Sequence, residues 1–366
     1  MNFIKRRALA SILIPFLLLL GGARSMGQIT LSEKTLDQGI HYDEIIGQGL
    51  RFFEEDQGNQ FWTMRTLEAW YTVHPLIEFA SLIKNTLTIK FVDGTYTLLM
   101  NPSSSGIDDS IRKKAPTFIS ASLSARYDSG PSSAKYNNGQ TALILNPVEY
   151  LYGDRVCQKI MNNLETVGYT VIYKTDDEID LTYIEDNLSA SIIYMNTHAG
   201  YWDINGDTTP DVVVIGTGEP WTDETAHRHQ FEYDNNMIVR GQVGDHSFVA
   251  FTPTLIDHYY QPDEFPDSLI YMATCHATYD DSMAEAFLDT GARSYMGWTQ
   301  NTVFWTNSVT SVWVFRLLCH GFTVNQVCRL IRSGGLLNFF FRSALTYYGD
   351  GSHRITTKTA LSSSVS

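Results

Sequence analysis

Residues 141–355 are predicted to form an α/β fold around a mostly parallel β-sheet. Short apolar runs alternate there with amphipathic helical patterns, beginning with an apolar run over 141–146 and a helical pattern over 153–167. Such alternation requires crossover connections, which place consecutive strands parallel in one sheet. The composition also indicates a folded protein, because 43% of the residues are hydrophobic and only 18% are charged.

The first 25 residues have the features of an export signal. Three basic residues at 5–7 precede an almost wholly apolar run at 8–20, and residues 23–25 place small side chains at a cleavage site. The apolar run is short for a membrane span. We therefore expect this signal to be cleaved and the mature protein to be secreted or otherwise extracytoplasmic, without attachment to a membrane. An uncleaved anchor is the alternative.

The net charge argues against two classes of partner. The 366-residue chain has a formal charge of −14, and loss of the four positive residues in 1–25 would leave about −18. A field of that sign repels nucleic acids and anionic membranes. We therefore predict neither as a partner.

The segments outside the α/β region have a different character. Residues 26–126 mix helical and strand patterns, with an Asp93-Gly94 hairpin signal, and residues 127–140 are rich in Gly, Ser and Asn. We predict an N-terminal mixed α/β accessory or pro-region, followed by a linker. Residues 356–366 are predicted to form a polar tail.

The remaining elements of the α/β region follow in a regular order. Gly168 is predicted to end the first helix, because glycine commonly terminates helices. The later elements are predicted as strand 169–173, helix 180–188, strand 191–196, strand 268–273, helix 282–288, strand 291–297 and helices 306–320 and 323–331.

Two candidate catalytic residues follow strands of this sheet. His198 comes after the strand ending at Asn196, and Cys275 comes after the strand ending at Ala273. Functional groups of α/β sheets gather at the carboxyl ends of the strands, so we expect the two side chains to lie close together. A thiol beside an imidazole is suited to nucleophilic acyl transfer. A hydrogen-bonded loop histidine and a buried thiol are the alternative interpretation.

Four ordered motifs carry a family resemblance: Ile192–His198, Leu269–Cys275, Met283–Gly297 and Leu345–Gly351. Together they resemble the clan of cysteine peptidases that includes caspases, legumains, clostripain, separase and gingipains, with gingipain- and clostripain-type members nearest in pattern. The resemblance implies a caspase-like three-layer fold with helices flanking the sheet. It also implies an exported cysteine endopeptidase that hydrolyses protein or peptide substrates through a Cys-His dyad.

The resemblance also assigns roles to individual residues. It makes Cys275 the nucleophile and His198 the general base, with His276 as a rival base. The family usually has Gly directly after the His, whereas this chain has Ala199 and then Gly200. The predicted oxyanion donors are therefore the amides of Ala199 or Gly200, together with that of Cys275. A catalytically inert caspase-like binding or assembly module is the alternative function.

Three residues are predicted to bind substrate: Asp280, Asp281 and Trp298. The two carboxylates follow Cys275 closely and would favour a basic side chain before the scissile bond. They are also well placed to cap the helix predicted from Ser282.

A calcium loop is predicted after His198. Side-chain oxygens stand at loop positions one, three, five and nine, and the Thr209 carbonyl adds another oxygen; the side chains are those of Asp203, Asn205, Asp207 and Asp211. Calcium prefers several hard oxygen ligands on a short loop, as in the aspartate-rich loops of extracellular repeat proteins. A solvated acidic turn is the alternative. No organic cofactor is expected.

Two histidines and three cysteines complete the candidates. His227 and His229 are of a residue type that binds zinc, but without a sequence pattern of carboxylate or Cys ligands around them we expect both at the surface. The remaining cysteines lack Cys-x-x-Cys spacing and are expected to be buried thiols: Cys157, Cys319 and Cys328.

Overall fold

The computed structural model describes residues 41–54, 60–100, 140–265, 267–302, 304–333 and 343–355. The chain divides into two compact units. One comprises Met1–Leu82 and Ile89–Tyr96, and the other comprises Ile83–Thr88 and Thr97–Ser366.

Several of the predicted segments lie wholly or largely outside the described residues. They are the signal at 1–25, the tail at 356–366, residues 127–139 of the linker, and residues 26–40 and 101–126 of the N-terminal region. The predicted boundaries of these segments stay predictions.

The first unit contains two helices and most of one strand. These are α1 (Tyr42–Glu54), α2 (Gln60–Thr72) and β1 (Ile77–Ile83). The fully buried Tyr71 donates a hydrogen bond of 2.7 Å from its hydroxyl to the carbonyl of Ile46, which fastens α2 to α1. A Cβ at Gly49 would lie 2.4 Å from that hydroxyl oxygen, so the contact requires glycine.

Strands β2 (Thr86–Phe91) and β3 (Tyr96–Met100) cross the boundary between the units. The predicted turn separates them. Gly94 has φ +93°, and its amide donates to the carbonyl of Phe91 over 3.0 Å. The Asp93-Gly94 turn is thereby confirmed.

The other elements belong to the second unit. In chain order they are β4 (Thr141–Asn146), α3 (Glu149–Tyr152), α4 (Arg155–Thr166), β5 (Thr170–Thr175), a 3-10 turn (Asp176–Glu178), α5 (Leu181–Asp186), β6 (Ile192–Met195), β7 (Ala199–Trp202), β8 (Val212–Pro220), α6 (Asp223–Arg228), α7 (Gln230–Asp234), β9 (Ile238–Val243), β10 (His246–Phe251), α8 (Pro253–Tyr259), β11 (Leu269–Met272), α9 (Ser282–Asp289), β12 (Ser294–Trp298), α10 (Phe304–Cys319), α11 (Val324–Ser333) and β13 (Leu345–Gly349).

A six-stranded sheet confirms the predicted alternation of strands and helices. Its strand order is β5-β4-β6-β11-β12-β13, and every neighbouring pair is parallel except β12 with β13. The first helix ends where Gly168 was expected to stop it, since that residue takes φ +103°. The strands and helices predicted here lie within a few residues of their observed bounds.

A second sheet was not predicted. Within the second unit its strands run in the order β3-β9-β10-β8-β7. Only β3 and β9 pair in parallel, so the expectation of a mostly parallel architecture is wrong for this sheet. The physical reason is the short connection between β9 and β10, where Gly244 takes φ +55°; a tight turn can join only antiparallel neighbours.

Alternate residues of the six-stranded sheet face two different hydrophobic clusters. Leu143 and Met195 belong to a cluster that also contains buried residues of α5, α8, α9 and the second sheet. Ile144 and Tyr194 belong to the other cluster, with residues of α4, α10 and α11. Because neighbouring residues of a strand point to opposite faces, helices pack on both faces of this sheet.

All four cysteines are free thiols. Cys157 and Cys328 are buried as predicted, whereas Cys319 is partly exposed and donates a weak hydrogen bond to the carbonyl of Asn163. Across the described ranges, no helix combines the length and the apolar character needed to cross a bilayer.

Candidate functional site

The register of two parallel strands sets the positions of His198 and Cys275. Met195 of β6 pairs with Met272 of β11, and each candidate residue lies three positions beyond its paired methionine. The amide of Ala273 donates to the Met195 carbonyl over 2.8 Å, which continues the pairing past the end of β11. The two residues therefore leave the same edge of the sheet at equivalent positions.

His198 is partly buried against aromatic rings. Its ring stacks on Phe248 with centroids 6.1 Å apart and meets Tyr152 edge-on at 6.2 Å. Among the described residues, its Nε2 has no hydrogen-bond partner. Burial, assisted by the nearby His246, lowers the pKa of the imidazole to about 4. The ring is consequently neutral at pH 7 and can accept a proton.

A cleft of about 440 Å³ lies against His198. Three acidic residues belong to its lining, Asp176, Asp177 and Asp245, together with Trp221. A Cβ at Gly218, on the cleft wall, would lie 1.6 Å from the carbonyl oxygen of Asp176. Only glycine allows this close approach of the two backbones.

Cys275 is partly exposed and held by one backbone segment. Its Sγ accepts a hydrogen bond from the amide of Thr302 at 3.3 Å, and the thiol donates to the carbonyl of the same residue at 3.5 Å. Burial raises the pKa of the Cys275 thiol, and the bond to Thr302 offsets only part of that rise. The site therefore rests as a neutral thiol and a neutral imidazole.

His276, the rival base, belongs to a separate network. Its Nδ1 hydrogen bonds with the hydroxyl of Tyr201, and its Nε2 faces the side-chain oxygens of Asn85, at 2.8 Å, and Asn301. The residue is 1% exposed and has φ +59°, a left-handed conformation that is uncommon for residues other than glycine. The ring contacts hold this strained backbone directly after Cys275.

A ladder of asparagines connects the strand ends that carry the two candidates. Asn196, two residues before His198, donates to Asn146 at 2.9 Å. Asn307 of α10 donates to Asn196 at 3.3 Å and to the carbonyl of Ala273, two residues before Cys275, at 2.7 Å. Trp298 completes the ladder by donating its indole N–H to Asn307 at 2.9 Å.

Trp298 was predicted to bind substrate, but its side chain is fully buried. It packs in the cluster formed with α4, α10 and α11, so this placement does not support contact with a substrate.

Asp280 and Asp281 begin a helix. Asp280 accepts hydrogen bonds from the amide and hydroxyl of Ser282, at 3.1 and 2.7 Å, while Asp281 is exposed. Neither residue is part of the lining of the cleft beside His198. The geometry thus favours the helix-capping interpretation over substrate binding.

The predicted oxyanion donors Ala199 and Gly200 are the two residues after His198. Ala199 and Gly200 begin β7 and pair with Ile215 and Val214 of β8. A Cβ at Gly200 would lie 2.7 Å from the Oγ1 of Thr86, so this residue packs tightly inside the second sheet. Their role as donors stays a prediction.

The aspartate loop is closed by its own amides. The fully buried Asp203 accepts hydrogen bonds from the amides of Gly206, Asp207 and Thr208 at 2.7 to 3.2 Å. Asp211 accepts from the amide of Ile204 at 2.7 Å. The remaining side-chain oxygens each cap an amide two positions later: Asn205 that of Asp207, and Asp207 that of Thr209.

The side-chain atoms that this loop offers to an ion are oxygens, which are the ligands that calcium requires. The residues therefore fit the predicted ion. The amide hydrogen bonds equally account for a turn without an ion. Calcium binding stays a prediction.

The carboxylates of the cleft were not identified from the sequence, although a signal was present. Asp176 and Asp177 directly follow β5, at the same edge of the sheet as His198 and Cys275. The rule that singled out the two catalytic candidates would have included them. Asp245 carries no such signal, because its turn reaches the cleft only through the second sheet.

No family model matches the chain, and no curated protein matches its sequence.

Proposed function

We propose that the protein is an exported cysteine endopeptidase with a caspase-like three-layer fold. The observation that carries the proposal is the register of β6 and β11, in which His198 and Cys275 are equivalent positions beyond paired residues. The strained His276 beside the nucleophile is a second support, because such backbone conformations cluster at active sites. Export is inferred from residues 1–25.

In the proposed mechanism the neutral imidazole of His198 acts as general base towards the neutral thiol of Cys275. His198 accepts the thiol proton as Sγ attacks the peptide carbonyl carbon, and the amides of Cys275 and of Ala199 or Gly200 hold the oxyanion. The C–N bond then breaks, and His198 donates the proton to the leaving amine. Water, deprotonated by the same imidazole, hydrolyses the thioester and releases the thiol.

The substrate class follows from the cleft. Its lining includes Asp177, Asp245 and Trp221 together with the proposed base His198. Carboxylates attract a cationic side chain, and the indole face attracts it further. We therefore infer a preference for Lys or Arg at the residue bound next to the scissile bond.

A peptide library cleaved by purified protein tests this function. Cys275→Ala should abolish cleavage and leave the circular dichroism spectrum unchanged. The control Cys319→Ala, at another partly exposed thiol, should retain cleavage. Cleavage that survives in Cys275→Ala would refute the mechanism.

A catalytically inert binding module is the second candidate. It is favoured by the two hydrogen bonds that Cys275 makes with Thr302 and by the raised pKa of the thiol. Iodoacetamide at neutral pH distinguishes the two functions. If Cys275 is the catalytic nucleophile, it should be labelled faster than Cys319; if the module is inert, it should not. Mass spectrometry of the labelled peptides gives the result.

A further inference from the structure

A second cluster of titratable side chains lies among the short helices of the second unit. It comprises Glu185 of α5, His229 between α6 and α7, and Glu232 of α7. One potential ligand atom from each residue lies within 4.8 Å of the others. The sequence suggested that His229 is a surface residue; this is wrong, because His229 is only 5% exposed.

A neighbouring carboxylate orients the ring of His229. Its Nε2 lies 3.1 and 3.2 Å from the two carboxylate oxygens of Glu219, so this nitrogen is the donor. Glu219 is itself held by the amide of Leu181 at 2.9 Å and by Arg228 at 3.2 Å. A histidine whose far nitrogen donates to a carboxylate is the usual arrangement around protein-bound metals.

The other ring nitrogen points into the cluster. Nδ1 lies 4.0 Å from Oε2 of Glu232, which is beyond hydrogen-bond distance. With Nε2 donating to Glu219, Nδ1 is the nitrogen left for a metal ion, which binds the neutral form of the ring. The buried ring of His229 thus directs its second nitrogen towards the carboxylates of the cluster.

The carboxylates also have unused oxygen atoms. Glu232 is 8% exposed and binds the Tyr259 hydroxyl through Oε1, at 2.6 Å, leaving Oε2 towards His229. Oε1 of Glu185 is shielded from solvent and has no hydrogen-bond partner among the described residues. Buried polar atoms without a partner are rare in folded proteins and call for an explanation.

We propose that Nδ1 of His229 and the carboxylates of Glu185 and Glu232 bind one zinc ion, with Glu219 orienting the histidine. One nitrogen and two carboxylate oxygens are ligands that zinc accepts, and a water molecule completes four-coordination. The imidazole disfavours calcium and magnesium, which prefer oxygen.

Charge balance supports a divalent ion. Three acidic side chains meet around His229, those of Glu185, Glu219 and Glu232, and Arg228 pairs with Glu219. A divalent ion would offset the repulsion among these carboxylates and join α5 to α7. The site is separate from the proposed peptidase residues, so it stands or falls independently of that function.

Zinc titration of the full chain, in excess calcium, tests the proposal. Calorimetry should give one zinc ion per chain that calcium does not displace, and cobalt should give the visible absorption bands of a four- or five-coordinate ion. His229→Gln and Glu185→Gln should each weaken zinc binding at least tenfold. His227→Gln changes an exposed histidine two residues away and should leave the affinity unchanged.

Circular dichroism controls for folding of each variant. Glu185→Gln, at the most exposed of the three ligands, provides the measurement if His229→Gln does not fold. Absence of zinc binding by the unsubstituted protein would overturn the site. So would undiminished affinity in a folded Glu185→Gln variant, or equal loss in His227→Gln.

Discussion

The side-chain amide of Asn307 donates a hydrogen bond to Oδ1 of Asn196 at 3.3 Å, and so links α10 to the strand end that carries His198. The same amide donates to the carbonyl of Ala273, on the strand end that carries Cys275. One buried side chain therefore sets the relative position of the two candidate catalytic segments.

Asn307→Ala should reduce both stability and turnover. The substitution leaves the indole N–H of Trp298 and the Ala273 carbonyl without their partner, which costs about 2 kcal/mol or more of unfolding free energy. We expect a lower kcat with little change in KM, because alignment is lost rather than substrate contact. Urea unfolding and steady-state kinetics measure the two effects.

The matched control is Asn235→Ala, at an exposed asparagine that donates only to the carbonyl of Phe231. It should change unfolding free energy by no more than about 0.5 kcal/mol. If Asn307→Ala raised KM and left kcat unchanged, that result would contradict the positioning role of Asn307.

The acid limb of the pH profile should lie near pH 4. Burial lowers the pKa of His198 to about 4, and the base must be neutral to accept the thiol proton. As the pH falls through that value the imidazole becomes protonated and activity is lost, whereas between pH 5 and the usual histidine pKa of about 6.5 activity should persist. The pH dependence of kcat/KM tests this.

His198→Ala should lower kcat/KM on the order of a hundredfold or more and remove that limb. An acid limb that stays near pH 4 in His198→Ala would assign it to another group.

KM for cationic substrates should depend on the acidic residues of the cleft rather than on those at the start of α9. The double variant Asp177→Asn/Asp245→Asn removes two carboxylates of the lining and should raise KM for Lys and Arg peptides about tenfold, with less effect on neutral peptides. The sequence alone pointed to Asp280 and Asp281 instead. Kinetics on matched peptides separate the two assignments.

Asp280→Asn/Asp281→Asn is the matched control, with the same change of charge. A rise in KM for cationic peptides in this variant, and none in the cleft variant, would restore the earlier assignment.

Calcium should raise the melting temperature if the aspartate loop binds it. Binding to the folded state alone stabilises it by about 2.7 kcal/mol at a hundredfold excess over the dissociation constant. Asp207→Ala should remove the increase while disturbing the loop little, since among the described residues the Asp207 carboxylate accepts a hydrogen bond only from the amide of Thr209. Calorimetry and thermal unfolding, with and without chelator, give the answer.

Asp203→Ala is unsuitable for this test, because its carboxylate caps three amides and its loss destabilises the loop without calcium. Asp223→Ala, outside the loop, is the control. Equal melting temperatures of the original protein with calcium and with chelator would favour the solvated turn. If calcium binds as predicted, we also expect it to raise activity, because the loop begins only five residues after His198.

The order of strands and helices over residues 141–355 could be predicted from the chain itself. Apolar runs such as Leu269–Met272 and helical patterns such as Arg155–Thr166 are local signals, and the parallel pairing follows from the crossovers between them. The candidates His198 and Cys275 were found by the same logic, because the end of a strand is visible in the sequence.

Contacts between distant segments could not be predicted in this way. The second sheet pairs Thr97–Leu99 with Arg240–Gln242, more than 140 positions apart, and no local period records such a partnership. Trp298 and His229 illustrate the same limit, since both look accessible in a sequence and both are buried. Burial depends on what packs against a residue.

The chain by itself thus determined the elements, the parallel sheet and the two residues at its edge. Tertiary structure alone decided which carboxylates line the cleft, and it alone brought Glu185, Glu219 and Glu232 to His229. The reason is physical: propensity and periodicity act over a few residues, whereas a binding site is assembled from groups that lie far apart along the chain, and no local pattern records which of them will meet.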